Sequence, residues 1–329
     1  KNGAPKDSGT SSAPAPWQAE PFAMFAPSVH VRWDARWLYV ESDGLPHAPL
    51  DFTPMKGIRA WQQQVPLPQP YTGANAWQIP LAPELADTPV SARTALRRGA
   101  IALAANGIPI FNALNNRGED AFAIGELDEF GGHCGRADDY HYHVAPLALQ
   151  KVLGARSPIG FALDGFALYG PFDPAAGAQS ERACPLGSKE PLDELNGHAC
   201  TVPAGRGLGG STRSYHYHAS ASYPYINGGM RGKVTVEGDQ IVPQPRAQSV
   251  REAGTPLRGA RITAFTTTGP GAWSLAYELD GKTYRVEYAI QASGAVRFDF
   301  VAPDGTRRTE TFSRREARAG NDGAGTRPD

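Results

Sequence analysis

This chain contains few cysteines, and its net charge is close to zero. Three cysteines in 329 residues exclude a fold held together by many disulfides. Lysine plus arginine number 32 and aspartate plus glutamate number 33, for a net charge of −1. No field of one sign therefore favours nucleic acid or an anionic membrane as a partner. No apolar run approaches the roughly 18–20 residues that a membrane-spanning helix needs.

Glycine and proline, by contrast, are abundant, with 37 and 29 residues. Together with short aromatic runs they predict a mostly β chain with many turns. The first 27 residues, rich in Ser, Gly, Ala and Pro up to Pro16, are predicted to be a flexible tether. A tether that follows a removed leader would fit a periplasmic, secreted or cell-surface protein, with a lipid anchor as one option.

The three cysteines are Cys134, Cys184 and Cys200. In an exported protein one pair could form a disulfide, and we expect Cys184–Cys200 with Cys134 free. Cys134 directly follows His133, so it could also bind a metal. The favoured interpretation of Cys134 is a buried small hydrophobic residue.

Two tetrapeptides of sequence Tyr-His-Tyr-His organise the chain, at residues 140–143 and 215–218. Alternation of two residue types predicts a β-strand, because successive side chains point to opposite faces. Each strand would then present two histidines on one face and two tyrosines on the other. Two imidazoles on one face can bind one metal ion, while the tyrosines anchor the strand in the core.

Other landmarks also occur twice and in the same order. An apolar strand, a tight turn and an apolar return are predicted at 99–111, around Asn106-Gly107, and again at 159–168, around Asp164-Gly165. A Leu-Asp-Glu step followed by Gly-His comes next, at 127–133 and at 192–198. The pattern predicts an internal duplication, with half-repeats at about 99–146 and 158–225 related by a pseudo-twofold axis.

The histidines of each half form a trio, and the six candidate metal ligands are His133, His141, His143, His198, His216 and His218. Neutral imidazole suits transition metals, here copper or zinc. Three histidines with one open position are typical of a catalytic zinc site. Three geometries remain open: one ion in each half, one dinuclear centre, or one ion shared between the halves. His30 and His47 lie outside any motif and are expected to be structural or solvated.

Four acids accompany the trios and are candidate catalytic residues that would move a proton: Asp128, Glu129, Asp193 and Glu194. They could instead ligate the metal, orient the imidazoles, or cap loops. An alternative is that the six histidines form a buried hydrogen-bonded network without metal. Repetition of the whole trio weakens that alternative, and so does the glycine before each lone histidine, Gly132 and Gly197, which permits close approach of a ligand.

Beyond the histidines, residues 272–312 alternate apolar and polar residues between turns at 280–281, 293–294 and 304–305. This predicts a four-stranded antiparallel meander with one apolar face. So small a sheet cannot bury that face alone, and it should pack on another sheet or on the main domain.

Several stretches match one family pattern in order: 106–109, 131–133, 140–143, 159–166, 192–194, 196–198, 215–218 and 223–226. At these residues the chain resembles the YHYH family, a bacterial secreted or surface-associated group, over about residues 28–236. The resemblance implies export and a histidine-rich core. The family often carries cysteines where this chain has Leu195 and Met230, so no disulfide pairing is carried over.

The predicted organisation is a tether (1–27), a YHYH domain (28–238), a linker (239–258), a β-meander (259–313) and a disordered tail (314–329). The leading hypothesis is an extracytoplasmic metal-dependent enzyme acting on a small molecule or an extracellular polymer, hydrolytic with zinc or redox with copper. The alternatives are a metal carrier without turnover and a surface interaction module. The sequence leaves the substrate, the metal and the oligomeric state open.

Overall fold

The computed structural model describes residues 14–50, 53–177, 179–201 and 213–313. Strands dominate, which confirms the mostly β prediction. The strands of the first three-quarters are β1 (His30–Trp33), β2 (Trp37–Glu41), β3 (Trp77–Pro80), β4 (Leu85–Ser91), β5 (Ala100–Ala104), β6 (Pro109–Phe111), β7 (Gly132–Cys134), β8 (Tyr140–Tyr142), β9 (Gly160–Ala162), β10 (Ala167–Pro171), β11 (Gly197–Thr201), β12 (Arg213–Ala219), β13 (Gly229–Gly232), β14 (Thr235–Glu237) and β15 (Gln240–Val242).

Helical segments are short. The 3₁₀ turns are Trp17–Ala19, Gly73–Asn75 and Leu147–Leu149, and the α-helices are α1 (Glu20–Ala23) and α2 (Gln150–Leu153). None of these described helices is long and apolar enough to cross a membrane. Phe22 and Phe25 are fully buried, so the predicted tether is wrong for residues 17–25, which pack into the core because of these aromatic rings. Residues 1–13 of that tether and the predicted disordered tail lie outside the described residues.

The centre of the molecule is an eight-stranded sheet in the order β11-β12-β10-β9-β5-β6-β8-β7. β5 and β9 pair antiparallel in the middle. Reading outward from that pair, each side has the second strand of a hairpin, then a parallel strand, then an antiparallel edge strand. The histidine motifs therefore lie toward opposite ends of one sheet. The internal duplication remains a prediction from the sequence motifs.

A tyrosine of each motif binds the turn of its neighbouring hairpin. Asn106 Nδ2 donates to Tyr142 Oη at 3.1 Å, and Tyr217 Oη donates to Asp164 Oδ2 at 2.6 Å. Gly165 follows Asp164 with φ +93°, and a Cβ there would lie 2.6 Å from the carbonyl oxygen of Pro80. The turns expected from sequence thus have a second purpose, which is to hold the histidine-bearing strands.

Three smaller sheets flank the central one: β1-β2-β3, β13-β4 and β14-β15. The terminal meander is β16 (Arg261–Gly269), β17 (Ala272–Leu279), β18 (Lys282–Ile290), β19 (Val296–Val301) and β20 (Arg307–Phe312). The four strands predicted within residues 272–312 are confirmed as β17 to β20, and β16, which precedes that stretch, adds a fifth. Register shifts at two points of β16 break its apolar alternation, which hid the strand in the sequence.

The apolar face of the meander packs on residues 57–66 of the main domain. The Trp61 and Tyr277 rings lie 5.0 Å apart, and Tyr288 Oη donates to the Pro66 carbonyl. The predicted linker is also ordered, because Arg251 forms a bidentate ion pair with Asp138 at 2.7 and 2.8 Å. The stretch 239–258, which also includes all of β15, is therefore packed structure rather than a free linker.

Candidate metal centres

Three histidines of the first half converge, and we call them cluster 1: His133, His141 and His143. His133 lies on β7, His141 on β8, and His143 directly after β8. The Nε2 atom of His143 lies 3.0 Å from Nε2 of His133 and 3.1 Å from Nε2 of His141. The ring contacts of His141 with His143, and of Tyr140 with Tyr142, follow the predicted alternation of faces.

Hydrogen bonds on the far side of two rings determine which nitrogen carries the proton. His141 Nδ1–H donates to the Asp139 carbonyl at 3.0 Å, and His143 Nδ1–H donates to the Asn112 carbonyl at 2.5 Å. A carbonyl oxygen only accepts, so both neutral rings present bare Nε2 lone pairs to each other. Neither Nε2 can donate to the other at 3.1 Å, so their two lone pairs repel each other. A cation bound between the two nitrogens would remove this repulsion.

Burial favours the neutral form of His143 and His133, which is the form that metals bind. It lowers the pKa of His143 to about 3, with a further contribution from the His141 charge. Burial is also the main cause that lowers the pKa of His133 well below its usual value, and the charges of His143, His141 and Arg117 add to it. Since protonation competes with metal binding, the site is prepared for a metal ion at neutral pH.

Cluster 1 opens into a cavity of about 740 Å³. The Phe111 ring stacks on the His141 ring with centroids 4.0 Å apart, which leaves that imidazole little freedom to turn. The lining includes arginines, asparagines and a few apolar side chains. Three imidazole ligands beside an accessible cavity leave room for a further ligand on the metal.

The second half forms a different group, which we call cluster 2: Cys184, His198, His216 and His218. Their ligand atoms all lie within 4.8 Å of one another, and all four residues are buried. His198 Nε2 lies 3.0 Å, and Cys184 Sγ 3.3 Å, from His216 Nε2. Three nitrogens and one sulfur supply a complete tetrahedral ligand set.

In cluster 2, as in cluster 1, Nδ1–H groups of the histidines donate to backbone carbonyls. His198 Nδ1–H donates to the Glu190 carbonyl at 2.7 Å, and His218 Nδ1–H donates to the Gly170 carbonyl at 3.0 Å. His218 Nε2 is buried without a hydrogen-bond partner. A buried acceptor is costly to leave unpaired, and a metal ion would satisfy it.

Cys184 is the ligand that sequence reasoning missed. All three cysteines are free thiols, so the expected Cys184–Cys200 disulfide is wrong. Cys184 instead faces the imidazoles, and a hydrogen bond from Cys200 is the largest cause that lowers the pKa of its thiol. No spacing motif marks it, because it comes from the loop between β10 and β11. Cys134 packs its sulfur 3.5 Å from Met55 Sδ and is a buried hydrophobic residue, as favoured from sequence.

The two clusters are separate sites. The strands β8 and β12 are five strand spacings apart in the central sheet, or about 24 Å along it. Of the three geometries left open by the sequence, the structure therefore selects one group of ligands in each half. No residue of one cluster joins the other among the described metal-ligand groups.

The predicted catalytic acids do not join either cluster. Asp128 is buried and accepts hydrogen bonds from Tyr140 Oη at 2.7 Å and from backbone N–H groups that include Gly132 at 3.0 Å. Asp193 likewise accepts from Tyr215 Oη and from the Gly197 N–H. These contacts lie on the tyrosine side of each strand. They favour a structural role for Asp128 and Asp193, and their part in proton transfer stays a prediction.

Glu129 and Glu194 are both exposed, and Glu129 pairs with Lys56 at 3.5 Å. The two glycines also differ from expectation. A Cβ at Gly132 would lie 2.4 Å from Tyr140 Oη, and one at Gly197 would lie 2.0 Å from Tyr215 Oη. Their absent side chains make room for the tyrosine hydroxyls rather than for a ligand.

No curated protein matches this sequence, and no solved structure matches it either. A family model described as YHYH protein matches residues 76–185. The matched region holds all of cluster 1 and Cys184, and it ends before β11 and β12. Over residues 76–185 the chain is therefore similar to the YHYH protein family, and this match supports the resemblance that its motifs indicated.

Proposed function

We propose that this protein is a metal-dependent enzyme whose working ion is held by cluster 1, with a second ion held by cluster 2. The observation that supports this most strongly is the pair of bare Nε2 atoms, 3.1 Å apart, on His141 and His143. Both rings are locked in that tautomer by backbone carbonyls, and both face an accessible cavity. His133 Nε2–H can donate to His143 Nε2 at 3.0 Å, but a hydrogen-bonded network of these three rings without metal would still leave Nε2 of His141 facing an acceptor without a donor.

Cluster 1 is the catalytic candidate because it provides three protein ligands and leaves one side open. A bound zinc ion would supply a hydroxide from water near neutral pH, and a copper ion would supply redox chemistry. The protein's own contribution is to hold the ligands. The carbonyls of Asp139 and Asn112 orient two rings, and Phe111 restricts His141.

Cluster 2 favours a second function, metal storage or a structural ion, at that site alone. It supplies four ligands, all buried, so no position is left for a substrate. A cysteine thiolate among imidazoles suits copper(I) and zinc. The rival hypothesis of a carrier without turnover is thus strongest at cluster 2.

We also propose that the protein works outside the cytoplasm, on a small molecule or an extracellular polymer. The resemblance to the YHYH family supports this. Fractionation of the source cells with an antibody to the protein is the direct test. Recovery in the cytosolic fraction would contradict the proposal.

Elemental analysis of protein purified without a histidine tag tests the metal sites. We expect one metal ion per cluster. The double variant His141→Ala/His143→Ala should lose one ion and keep the other, and His216→Ala/His218→Ala should lose the other. His30→Ala/His47→Ala is the matched control and should keep both.

X-ray absorption at the metal edge then separates the two environments in these variants. The ion left in His216→Ala/His218→Ala should have only nitrogen and oxygen neighbours, including a solvent oxygen. The ion left in His141→Ala/His143→Ala should have a sulfur neighbour. Metal content unchanged by both double variants would overturn the proposed function.

A further inference from the structure

We propose that the cavity beside cluster 1 binds a small organic anion, a carboxylate or a phosphate ester, through arginines on its wall. The proposal rests on the proposed function in one respect. The anion is taken to be the substrate that reacts at the ion of cluster 1. The four arginines that line the cavity are Arg97, Arg98, Arg117 and Arg136.

These arginines are not equally free. Arg117 is neutralised, because it donates to Glu119 and Glu126, each at 2.5 Å. Within the described residues, no carboxylate lies within ion-pair distance of Arg97, Arg98 or Arg136. These three guanidinium groups can therefore pair with a carboxylate or a phosphate that enters the cavity.

Arg97 has a buried donor that lacks a hydrogen-bond partner. Its side chain is half-buried, and its Nε is buried without a hydrogen-bond partner. The hydrogen bond from its Nη2 to the Arg93 carbonyl is long, at 3.5 Å. A buried donor on a cation is costly to leave unpaired, and an anion in the cavity would pair it.

The acids of the cavity wall do not cancel this charge. Glu126 is engaged by Arg117, and Asp139 accepts from Ala137 N–H at 3.0 Å and lies 3.4 Å from His141 Nδ1. A divalent ion at cluster 1 would add further positive charge. The lining residues thus carry a net positive charge, which favours an anion over a cation in the cavity.

The remaining lining sets the size and character of the anion. The cavity volume of about 740 Å³ matches a small organic molecule. Phe111, Leu114 and Pro256 give an apolar part of the wall, and Asn115 and Asn116 give amides. The structure thus favours an anion that also carries an apolar or aromatic portion.

One buried side chain links the arginine segment to the metal ligands. Asn112 accepts from His143 through its carbonyl, and its Nδ2 donates to the carbonyls of Ala92 at 2.7 Å and Leu96 at 3.2 Å. Arg97 directly follows Leu96. The anion-binding group and the metal-binding ring are therefore held by the same residue.

Calorimetric titration of the metal-loaded full chain with phenyl phosphate tests the proposal, with benzyl alcohol as the neutral counterpart. We expect phenyl phosphate to bind more tightly and to weaken as sodium chloride is added. Arg97→Gln and Arg136→Gln should each lower its affinity at least about tenfold. Arg156→Gln, which removes an exposed arginine outside the cavity, should leave it unchanged.

Metal content and melting temperature are measured for every variant. Arg136 is exposed, so its replacement tests the idea even where Arg97→Gln folds poorly. Equal binding of phenyl phosphate and benzyl alcohol would overturn the proposal, and so would unchanged affinity in both arginine variants. Arginine-dependent binding by a protein that holds no metal at cluster 1 would instead support the anion site and reject the proposed function.

Discussion

Clusters 1 and 2 arise from the same tetrapeptide, yet they offer a metal ion different surroundings. Each has three histidines, and in each at least two Nδ1–H groups donate to backbone carbonyls. The difference comes from the loops. In cluster 2 a loop supplies Cys184 and closes the site, whereas in cluster 1 the loops leave an arginine-lined cavity. The sheet thus provides the histidines of each cluster, and the loops set the surroundings in which a metal ion would be held.

The largest effect that separates the two clusters should come from Arg251. It pairs with Asp138, which precedes the first tetrapeptide and has an arginine, Arg213, in the corresponding place before the second. Both partners are buried, so Arg251→Met would leave an unpaired buried carboxylate and destabilise the fold by about 3–5 kcal/mol.

Urea unfolding followed by tryptophan fluorescence measures this loss. Arg285→Met is the control, because that exposed arginine pairs with Glu287 at the surface, where the Glu287 side chain is 31% exposed. This substitution should change stability by less than about 1 kcal/mol. Equal effects of the two substitutions would show that the buried ion pair does not anchor this region.

Removal of the thiol should make cluster 2 resemble cluster 1. Cys184→Ala takes away the sulfur ligand, and we expect the affinity of cluster 2 for its ion to fall at least about a hundredfold. A competition titration with a chelating dye measures it. Cys134→Ala, at a buried cysteine outside both clusters, should leave both affinities as they were. An unchanged affinity in Cys184→Ala would mean that the histidines alone bind the ion.

Alanine at Gly132 or Gly197 tests what the two clusters share. Each new Cβ would collide with a tyrosine hydroxyl, and we expect a loss of about 1–3 kcal/mol in each case. Thermal denaturation measures it, with Gly269→Ala as control because nothing lies within 4 Å of a Cβ there. The Tyr140 ring carbon Cζ would also lie 2.5 Å from the Cβ at position 132, so Tyr140→Leu, which removes both ring and hydroxyl, should cost less in Gly132→Ala than in the unaltered chain. Full additivity of the two substitutions would argue against the collision.

The smallest effect concerns a histidine outside both clusters. The Asp43 carboxylate accepts from His47 Nε2 at 2.8 Å, and this hydrogen bond raises the pKa of His47. Stability from the pair is therefore fully present below pH about 6.5 and is lost as pH rises through the raised pKa. Both groups are more than a third exposed, so the effect should stay below about 1 kcal/mol.

A proton NMR titration of the metal-free protein measures this difference. His47 should titrate above pH 6.5, and Asp43→Asn should bring it back toward that value. His143, with its pKa lowered to about 3 by burial, should show no change in the same range. Similar midpoints for the two rings would contradict the burial of cluster 1.

The sequence predicted the parts of these sites that depend on local geometry. Alternation along residues 140–143 and 215–218 placed the imidazoles on one face, and the turns at Asn106 and Asp164 located the hairpins. Contacts between distant segments left no local pattern. Cys184 contributes to cluster 2 from a loop. Arg251 contacts Asp138 from a stretch that the sequence predicts to be a linker.

The two aspartates that recur beside the histidines also show what a repeated sequence pattern leaves undecided. Asp128 and Asp193 were grouped with the histidines because they recur beside them. In the structure they recur because each one receives a tyrosine hydroxyl and orders the turn before a histidine strand. Repetition in sequence identifies residues that act together, but it does not distinguish a ligand from its scaffold.

The buried amide of Asn112 has a consequence for how this protein can change over evolutionary time. The same side chain and carbonyl connect one metal ligand to the segment that carries Arg97. Any mutation that shifts this segment to accommodate a larger anion would also turn the ring of His143. New specificities are therefore expected to arise through the remaining walls of the cavity, while the neighbourhood of Asn112 stays as it is.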